Sequence, residues 1–278
     1  MNEHSIANHI HILAGGHELA YYDSGMNTEH GSRTAVLLHG YCGSSAYWSK
    51  VVPLLETTCR VIAPDLRGHG SSDAPKEDIY SMESFAEDVL GLLNGLGIDR
   101  ACLIGHSLGG YVTLAAAERD AERFNGLSLV HSTSYPDVQA AKENRDKAVR
   151  TIKMEGIRVF ADGLVPKLFA PAHVTTMGAE VQRIKEIGYH TSQHAAAAAA
   201  LGMKERPDRG GVLRSSHVPV LLVAGASDQL IPPERTFSAA GENIRTHLLE
   251  RSGHMGMIEE PEALAQTLTQ FVLSLEVV

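Results

Sequence analysis

Residues 101–119 read Ala101-Cys102-Leu103-Ile104, then Gly105-His106-Ser107-Leu108-Gly109, then a helix-forming run from Tyr111 to Arg119. This order predicts a strand that turns sharply into a helix, with Ser107 at the tip of the turn. A serine held there is strained in its backbone and projects its hydroxyl above the sheet. The flanking turns crowd each other, and glycines two positions to either side relieve the crowding because they carry no Cβ. The helix that follows aims its first N–H groups at the place where an oxyanion would form. Alone, the five-residue pattern also fits a tight turn with an idle serine. The strand before it and the helix after it make Ser107 the candidate nucleophile.

The same rhythm continues outward from this turn. Ser5 to Leu13 and Glu18 to Asp23 alternate as strands about Gly15-Gly16, which predicts an antiparallel hairpin. Ala35 to Leu38 is apolar throughout, as in a strand buried on both faces, and ends in the glycine-rich loop His39-Gly40-Tyr41-Cys42-Gly43-Ser44. Ser45 to Leu55 reads as a helix, Arg60 to Ala63 as a strand, and Asp65 to Asp73 as a polar loop at its end. Ser81 to Leu96 carries a helical stripe of Met82, Phe85, Val89, Leu92, Leu93 and Leu96, and Leu127 to Val130 is another buried strand. Strands alternating with helices predict a parallel sheet covered on both faces.

The alternation breaks at Ser132. From Ser134 to about Arg209 there is no strand-like run, only helical stretches at Asp137 to Glu155, Ile157 to Leu168, Val174 to Ile187 and Ser192 to Met203. This predicts a helical cap inserted over the cleft, so that 1–131 and 212–278 form one core and 132–211 the insertion. Its Ala195 to Ala200 run reads first as a helix packing closely through small side chains, and second as room for a substrate. Strand and loop then return: Val218 to Gly225 is followed by Asp228, and Thr246 to Leu249 by the loop Ser252-Gly253-His254-Met255-Gly256. Glu234 to Ala240 is a short helix between them, and Pro261 opens a closing helix that runs to Leu275.

Composition narrows the chemistry. With 278 residues and 44% hydrophobic content the chain can bury a full core. A formal charge of −9 disfavours nucleic acid and anionic membrane surfaces as partners and favours a neutral or apolar small molecule. Cys42, Cys59 and Cys102 have neither disulfide-framework nor zinc spacing, and no basic-then-apolar leader or membrane-length run occurs, so the expected location is the cytoplasm. His9 with His11, and His190 with His194, have spacings a metal could use. Neither pair has a third ligand nearby, and solvated or packed histidines are the better reading.

Ser107, Asp228 and His254 each follow a predicted central strand, so the fold would gather them at one sheet edge. A serine hydroxyl needs a base to become a nucleophile, and an imidazole with pKa near 6.5 suits that task. Asp228 would fix the tautomer of His254 and stabilise its charged form. Asp65, Asp73 and Glu250 are other carboxylates near strand ends, but only Asp228 follows a central strand after the cap and before the histidine. The backbone N–H groups of Tyr41 and Leu108 are the expected oxyanion donors. Tyr41, His106 and Met255, which border these loops, are the expected substrate contacts.

These residues together resemble those of α/β-hydrolase-fold serine hydrolases: the His39-Gly40-Tyr41 loop, the Asp65 to Asp73 loop, Gly105 to Gly109, Gly225 to Asp228, and Gly253-His254. The resemblance implies an eight-stranded, mostly parallel sheet, no metal, no organic cofactor, and acyl transfer through an acyl-Ser107 intermediate. Serine at the nucleophile position disfavours the epoxide and haloalkane hydrolases of that superfamily, which use a carboxylate there. The outline, including Arg206-Pro207-Asp208-Arg209, is similar to small bacterial carboxylesterases and lactonases. The expected activity is therefore hydrolysis of a small carboxylic ester by a monomer or homodimer. Lactone hydrolysis, including acyl-homoserine lactones, is the alternative, and a small-molecule sensor on the same scaffold with little turnover is a third reading.

Overall fold

The apolar runs of the centre become the middle of one sheet because both of its faces are covered. In the computed structural model, which describes residues 4–25 and 33–276, eight strands form: β1 (His9–Ile12), β2 (Glu18–Asp23), β3 (Thr34–Leu38), β4 (Arg60–Pro64), β5 (Ala101–His106), β6 (Phe124–Val130), β7 (Val220–Gly225) and β8 (Ile244–Leu249). Their order across the sheet is β1-β2-β4-β3-β5-β6-β7-β8. The pairs from β4 to β8 are all parallel, and β2 runs antiparallel to both β1 and β4. The amino-terminal hairpin is present as expected, with Gly16 at φ +83° in its turn.

Alternation along each central strand sends side chains into two separate cores. Val36, Leu38, Leu103, Val220 and Leu222 enter one, while Ala35, Leu37, Cys102, Ile104, Leu221 and Val223 enter the other. Helices α1 (Val52–Leu55), α2 (Met82–Gly95) and α3 (Leu108–Arg119) follow the first strands in order. The α2 stripe of Met82, Phe85, Val89, Leu92 and Leu93 is buried, and Ser81 caps its start by accepting from Ser84 N–H at 3.1 Å. Each fully buried aliphatic or aromatic side chain contributes roughly 1.5–3 kcal/mol, so these two cores supply most of the driving force.

Six helices span the insertion: α4 (Gln139–Glu155), α5 (Ile157–Leu164), α6 (His173–Thr176), α7 (Gly178–Tyr189), α8 (Gln193–Glu205) and α9 (Gly210–Arg214). Helices α10 (Pro233–Thr236), α11 (Gly256–Glu259) and α12 (Pro261–Leu273) complete the chain. The alanine run of α8 is entirely buried. A Cβ on Gly68 would collide with Ala195, and one on Gly202 with the Tyr80 carbonyl, so the small residues serve close packing of cap on core. His190 ends α7 while His194 lies in α8, and the two therefore do not share a helix face. No helix among the described residues is long and apolar enough to cross a membrane.

Three local expectations are corrected. Ser45 to Leu55 is not one helix but a 3-10 turn at Ser45–Trp48 followed by α1, because Pro53 cannot donate its backbone nitrogen within a continuous helix but fits a first turn. The helix expected over Glu234 to Ala240 is only the four residues of α10. The loop around His254 passes at once into the short α11.

Asp65 is a structural residue. Its buried carboxylate accepts from Ser45 N–H at 2.7 Å, Ser5 Oγ at 2.6 Å and Ser71 N–H at 2.8 Å. Burial pushes its pKa up and these donors pull against that push. The group ties the amino-terminal segment to two loops. An asparagine there can accept at only one of the two oxygen positions, so Asp65→Asn should cost roughly 2–3 kcal/mol of stability in denaturant titration while retaining the activity of the folded fraction.

Candidate active site

Ser107 sits between β5 and α3 with φ +51° and ψ −112°, a region that non-glycine residues avoid. It is held there from both sides. Its N–H donates to the Val130 carbonyl at 3.0 Å, and its own carbonyl accepts from Ser132 Oγ at 2.7 Å and from Gly110 N–H at 2.9 Å. The glycines are required by contact: a Cβ on Gly105 would fall on the Gly109 carbonyl, and one on Gly109 would fall on the Leu38 carbonyl. Ser107 is partly exposed while its neighbours on both sides are buried.

Because β5, β7 and β8 are parallel, the loops after them leave the sheet at one edge. That edge brings Asp228 and His254 together, with His254 Nδ1 2.7 Å from Asp228 Oδ2. The other carboxylate oxygen of Asp228 accepts from Leu230 N–H at 2.9 Å and Ile231 N–H at 3.0 Å, which orients the whole group. Burial opposes its charge, but His254 and His131 outweigh burial and hold the carboxyl well below the usual carboxylate range. The His254 loop docks beside the serine through His106, whose Nε2–H donates to the His254 carbonyl at 2.9 Å.

Tyr41 and Leu108 flank the same place. Neither backbone N–H donates to a protein group among the described residues. The Tyr41 ring lies against Phe160, and its hydroxyl donates to the Ala196 carbonyl at 2.7 Å, so this residue joins the core loop to the cap. His106 and Met255 are both buried: the His106 ring stands edge-on to Trp48, and Met255 packs in the core with Ile258 and Leu264. Their side chains meet protein on all sides.

Two residues beyond the expected set shape this edge. His131 follows β6, is fully buried, and adopts φ +48°. Its Nε2 accepts from Gly256 N–H at 3.2 Å, which leaves the proton on Nδ1, 3.5 Å from Asp228 Oδ2. His131, Asp228 and His254 thus form a tight group of metal-ligand types. Their donor set does not suit an ion, because the His131 nitrogen nearest the carboxylate carries a proton and His254 Nδ1 is already bonded to it. The sequence signal was available: His131 follows a central strand just as Ser107 and Asp228 do, whereas His254, expected after a central strand, follows β8 at the edge of the sheet.

Glu259 is the second. Its buried carboxylate accepts from Gly253 N–H at 2.8 Å and Met255 N–H at 3.1 Å on either side of His254. It also accepts from Ala170 N–H at 2.7 Å and bonds His173 Nδ1 at 2.8 Å, both in the cap. His254 N–H itself donates to the Leu168 carbonyl at 2.7 Å. One carboxylate therefore locks the histidine loop to the insertion.

Known proteins resemble the chain in sequence and in fold. A family model described as alpha/beta hydrolase fold matches residues 35–261. The chain is similar in structure to a thermophilic esterase from Thermogutta terrifontis, solved with malate bound, at 30% identity over 95% of this chain and 97% of that one, with a TM-score of 0.88. It is also similar to the enol-lactonase of Burkholderia xenovorans LB400, at 26% identity over 96% and 100% of the two chains, with a TM-score of 0.86. In sequence it is 29% identical to a putative carbamate hydrolase of Variovorax paradoxus, over 86% of this chain and 91% of the relative.

Four histidines packed under these loops are kept neutral by burial. Burial lowers His39 to about 4 and His69 to about 3, and also depresses His106 and His131. Between the unfolded value near 6.5 and these folded values, the unfolded chain binds protons that the folded one refuses. Stability should therefore fall as pH drops from about 6.5 to about 4, and the depressed Asp228 carboxyl adds to the loss further down. His69→Gln cannot titrate and should flatten this slope by about one proton, or roughly 1.4 kcal/mol per pH unit, in unfolding free energies measured from pH 7.5 to 4.

Proposed function

The chain belongs to the alpha/beta hydrolase fold family, and we propose that within it this protein is a serine hydrolase that cleaves small carboxylic esters through an acyl-Ser107 intermediate. The observation that carries this reading is the buried Asp228–His254 pair at 2.7 Å, on a loop docked against the residue that precedes the strained Ser107. The likeness to an esterase at 30% identity over nearly the whole chain supports the same class of substrate.

In this mechanism Ser107 Oγ attacks the ester carbonyl and gives its proton to His254 Nε2. Asp228 fixes the proton on Nδ1, leaving Nε2 basic, and stabilises the imidazolium that forms. The negative oxygen of the tetrahedral intermediate accepts from the Tyr41 and Leu108 N–H groups, which have no other protein acceptor among the described residues. Collapse expels the alcohol, which takes the proton from His254. Water then attacks the acyl-serine with His254 as base, and the acid is released. No metal or organic cofactor enters these steps.

A lactone is a cyclic ester, and the likeness to an enol-lactonase favours lactone hydrolysis by the same groups as the second reading. The insertion, bounded as 132–211 in the sequence reading, sets which ester fits. Cys42, Cys59 and Cys102 are free and buried, which suits the reducing cytoplasm where we place the protein.

Ser107→Ala should abolish labelling by a fluorophosphonate and lower kcat by roughly 10⁴–10⁶ with an unchanged melting temperature. Sustained turnover by this variant would rule out an acyl-serine. Asp228→Asn should fold but favour the wrong tautomer of His254, lowering kcat by roughly 10²–10⁴ at neutral pH. Near-wild-type activity in Asp228→Asn, together with inactivity in a folded Asp65→Asn, would transfer the acid role to Asp65.

A further inference from the structure

On α4 the residues Arg145, Val149 and Ile152 follow one another at i, i+4 and i+7, so they share a face. Ile152 is fully buried, and Val149 packs against the core cluster that also holds Tyr41, Tyr111 and the α8 alanines. Arg145 is thus the charged member of an inward apolar stripe. Its side chain is 24% accessible, so the guanidinium is partly enclosed without being sealed.

Its hydrogen bonding is half spent. Nε donates to Asp137 Oδ2 at 3.0 Å, whereas neither Nη nitrogen bonds a described residue and neither is sealed from solvent. Asp137 cannot neutralise this corner alone, because its other oxygen is 2.7 Å from Arg206 Nη1. Two guanidinium groups share one carboxylate, and the sum is one positive charge. Arg206 is otherwise engaged: it donates to the Met203 and Tyr135 carbonyls and lies 3.8 Å over the Tyr111 ring. The free fork belongs to Arg145. Burial opposes its charge, but Asp137 and the tyrosines hold its pKa above the ordinary value. That charge is felt at Tyr41 and Cys42 in the oxyanion loop and at Tyr111, one helical turn beyond Ser107.

We propose that Arg145 receives a carboxylate of the substrate, so that the preferred substrates are esters or lactones bearing a second, free carboxylate a few bonds from the scissile carbonyl. A planar fork with two open N–H edges matches a carboxylate, and a guanidinium removed from bulk water binds an anion more strongly than an exposed one. The net charge of −9 pointed to neutral substrates. Net charge averages over a whole surface, whereas recognition is settled by the groups within a few ångströms of the ligand.

This inference rests on the hydrolase reading, and the test separates the two. Initial rates would be measured for the intact protein with monoethyl glutarate against ethyl pentanoate, which differ in the terminal carboxylate. The pair O-butyrylglycolate and propyl butyrate places the carboxylate on the alcohol side. In at least one pair, the anionic ester should show kcat/KM roughly ten-fold or more above its neutral counterpart. Arg145→Gln should lower kcat/KM for that anionic ester by roughly 10- to 100-fold, leave the neutral ester within about three-fold, and keep fluorophosphonate labelling of Ser107. Arg145→Lys should restore part of the loss. Turnover of neutral and anionic esters with no preference that depends on Arg145, or an equal fall on both in Arg145→Gln, overturns this proposal and leaves the hydrolase reading standing. No turnover or labelling with any ester or probe overturns both.

Discussion

The structure depends on a turn that a serine would not adopt by itself. Ser107 is held at positive φ between a fully buried strand and a helix, and the backbone strain of such a residue is on the order of 1–3 kcal/mol. The cost is met by two packed cores and by hydrogen bonds that fix the residue from β6 and from Ser132. Close approach is what the turn needs: β5 and α3 are pressed together at Gly105 and Gly109, where any side chain would strike backbone. The strand is also parallel to β7 and β8, so its carboxyl end lies at the same edge as theirs.

A second constraint is electrostatic. A buried carboxylate is expensive unless its oxygens are bonded, and here every bond to Asp228 also orients something. Two backbone N–H groups fix its plane, His254 Nδ1 lies 2.7 Å from its other oxygen, and the neutral His131, whose tautomer is set by Gly256, stands 3.5 Å behind. Glu259 solves the same problem in another way, spending its oxygens on the two N–H groups around His254 and on the cap. The histidine loop is therefore not an independent element. Its position depends on the insertion being in place, so folding of the cap and assembly of the proposed site are coupled.

The insertion also sits tightly on the core. Its alanine helix comes close enough to touch Gly68 and Tyr80, and Tyr41 reaches across to it from the core. Small side chains on α8 bring the cap down, and Arg145 on α4, with Asp137 just before that helix, carries charge onto the inward face of the cap.

The sequence by itself determined the order of strands and helices, the place of the turn, and the three residues to look for at its edge. It could do so because buried parallel strands are uniformly apolar, glycines mark close approach, and residues after such strands share one edge whatever their separation along the chain. The break at Pro53 was missed, since the apolar pattern over Ser45 to Leu55 read as one helix. Only the tertiary structure decided that His131 backs Asp228, that Glu259 joins the cap to the histidine loop, and that Arg145 and Arg206 share Asp137. Each of these contacts joins segments whose side-chain directions are set by packing. A histidine after a strand, a glutamate in a short helix and an arginine on an inward stripe carry no local pattern that names their partners.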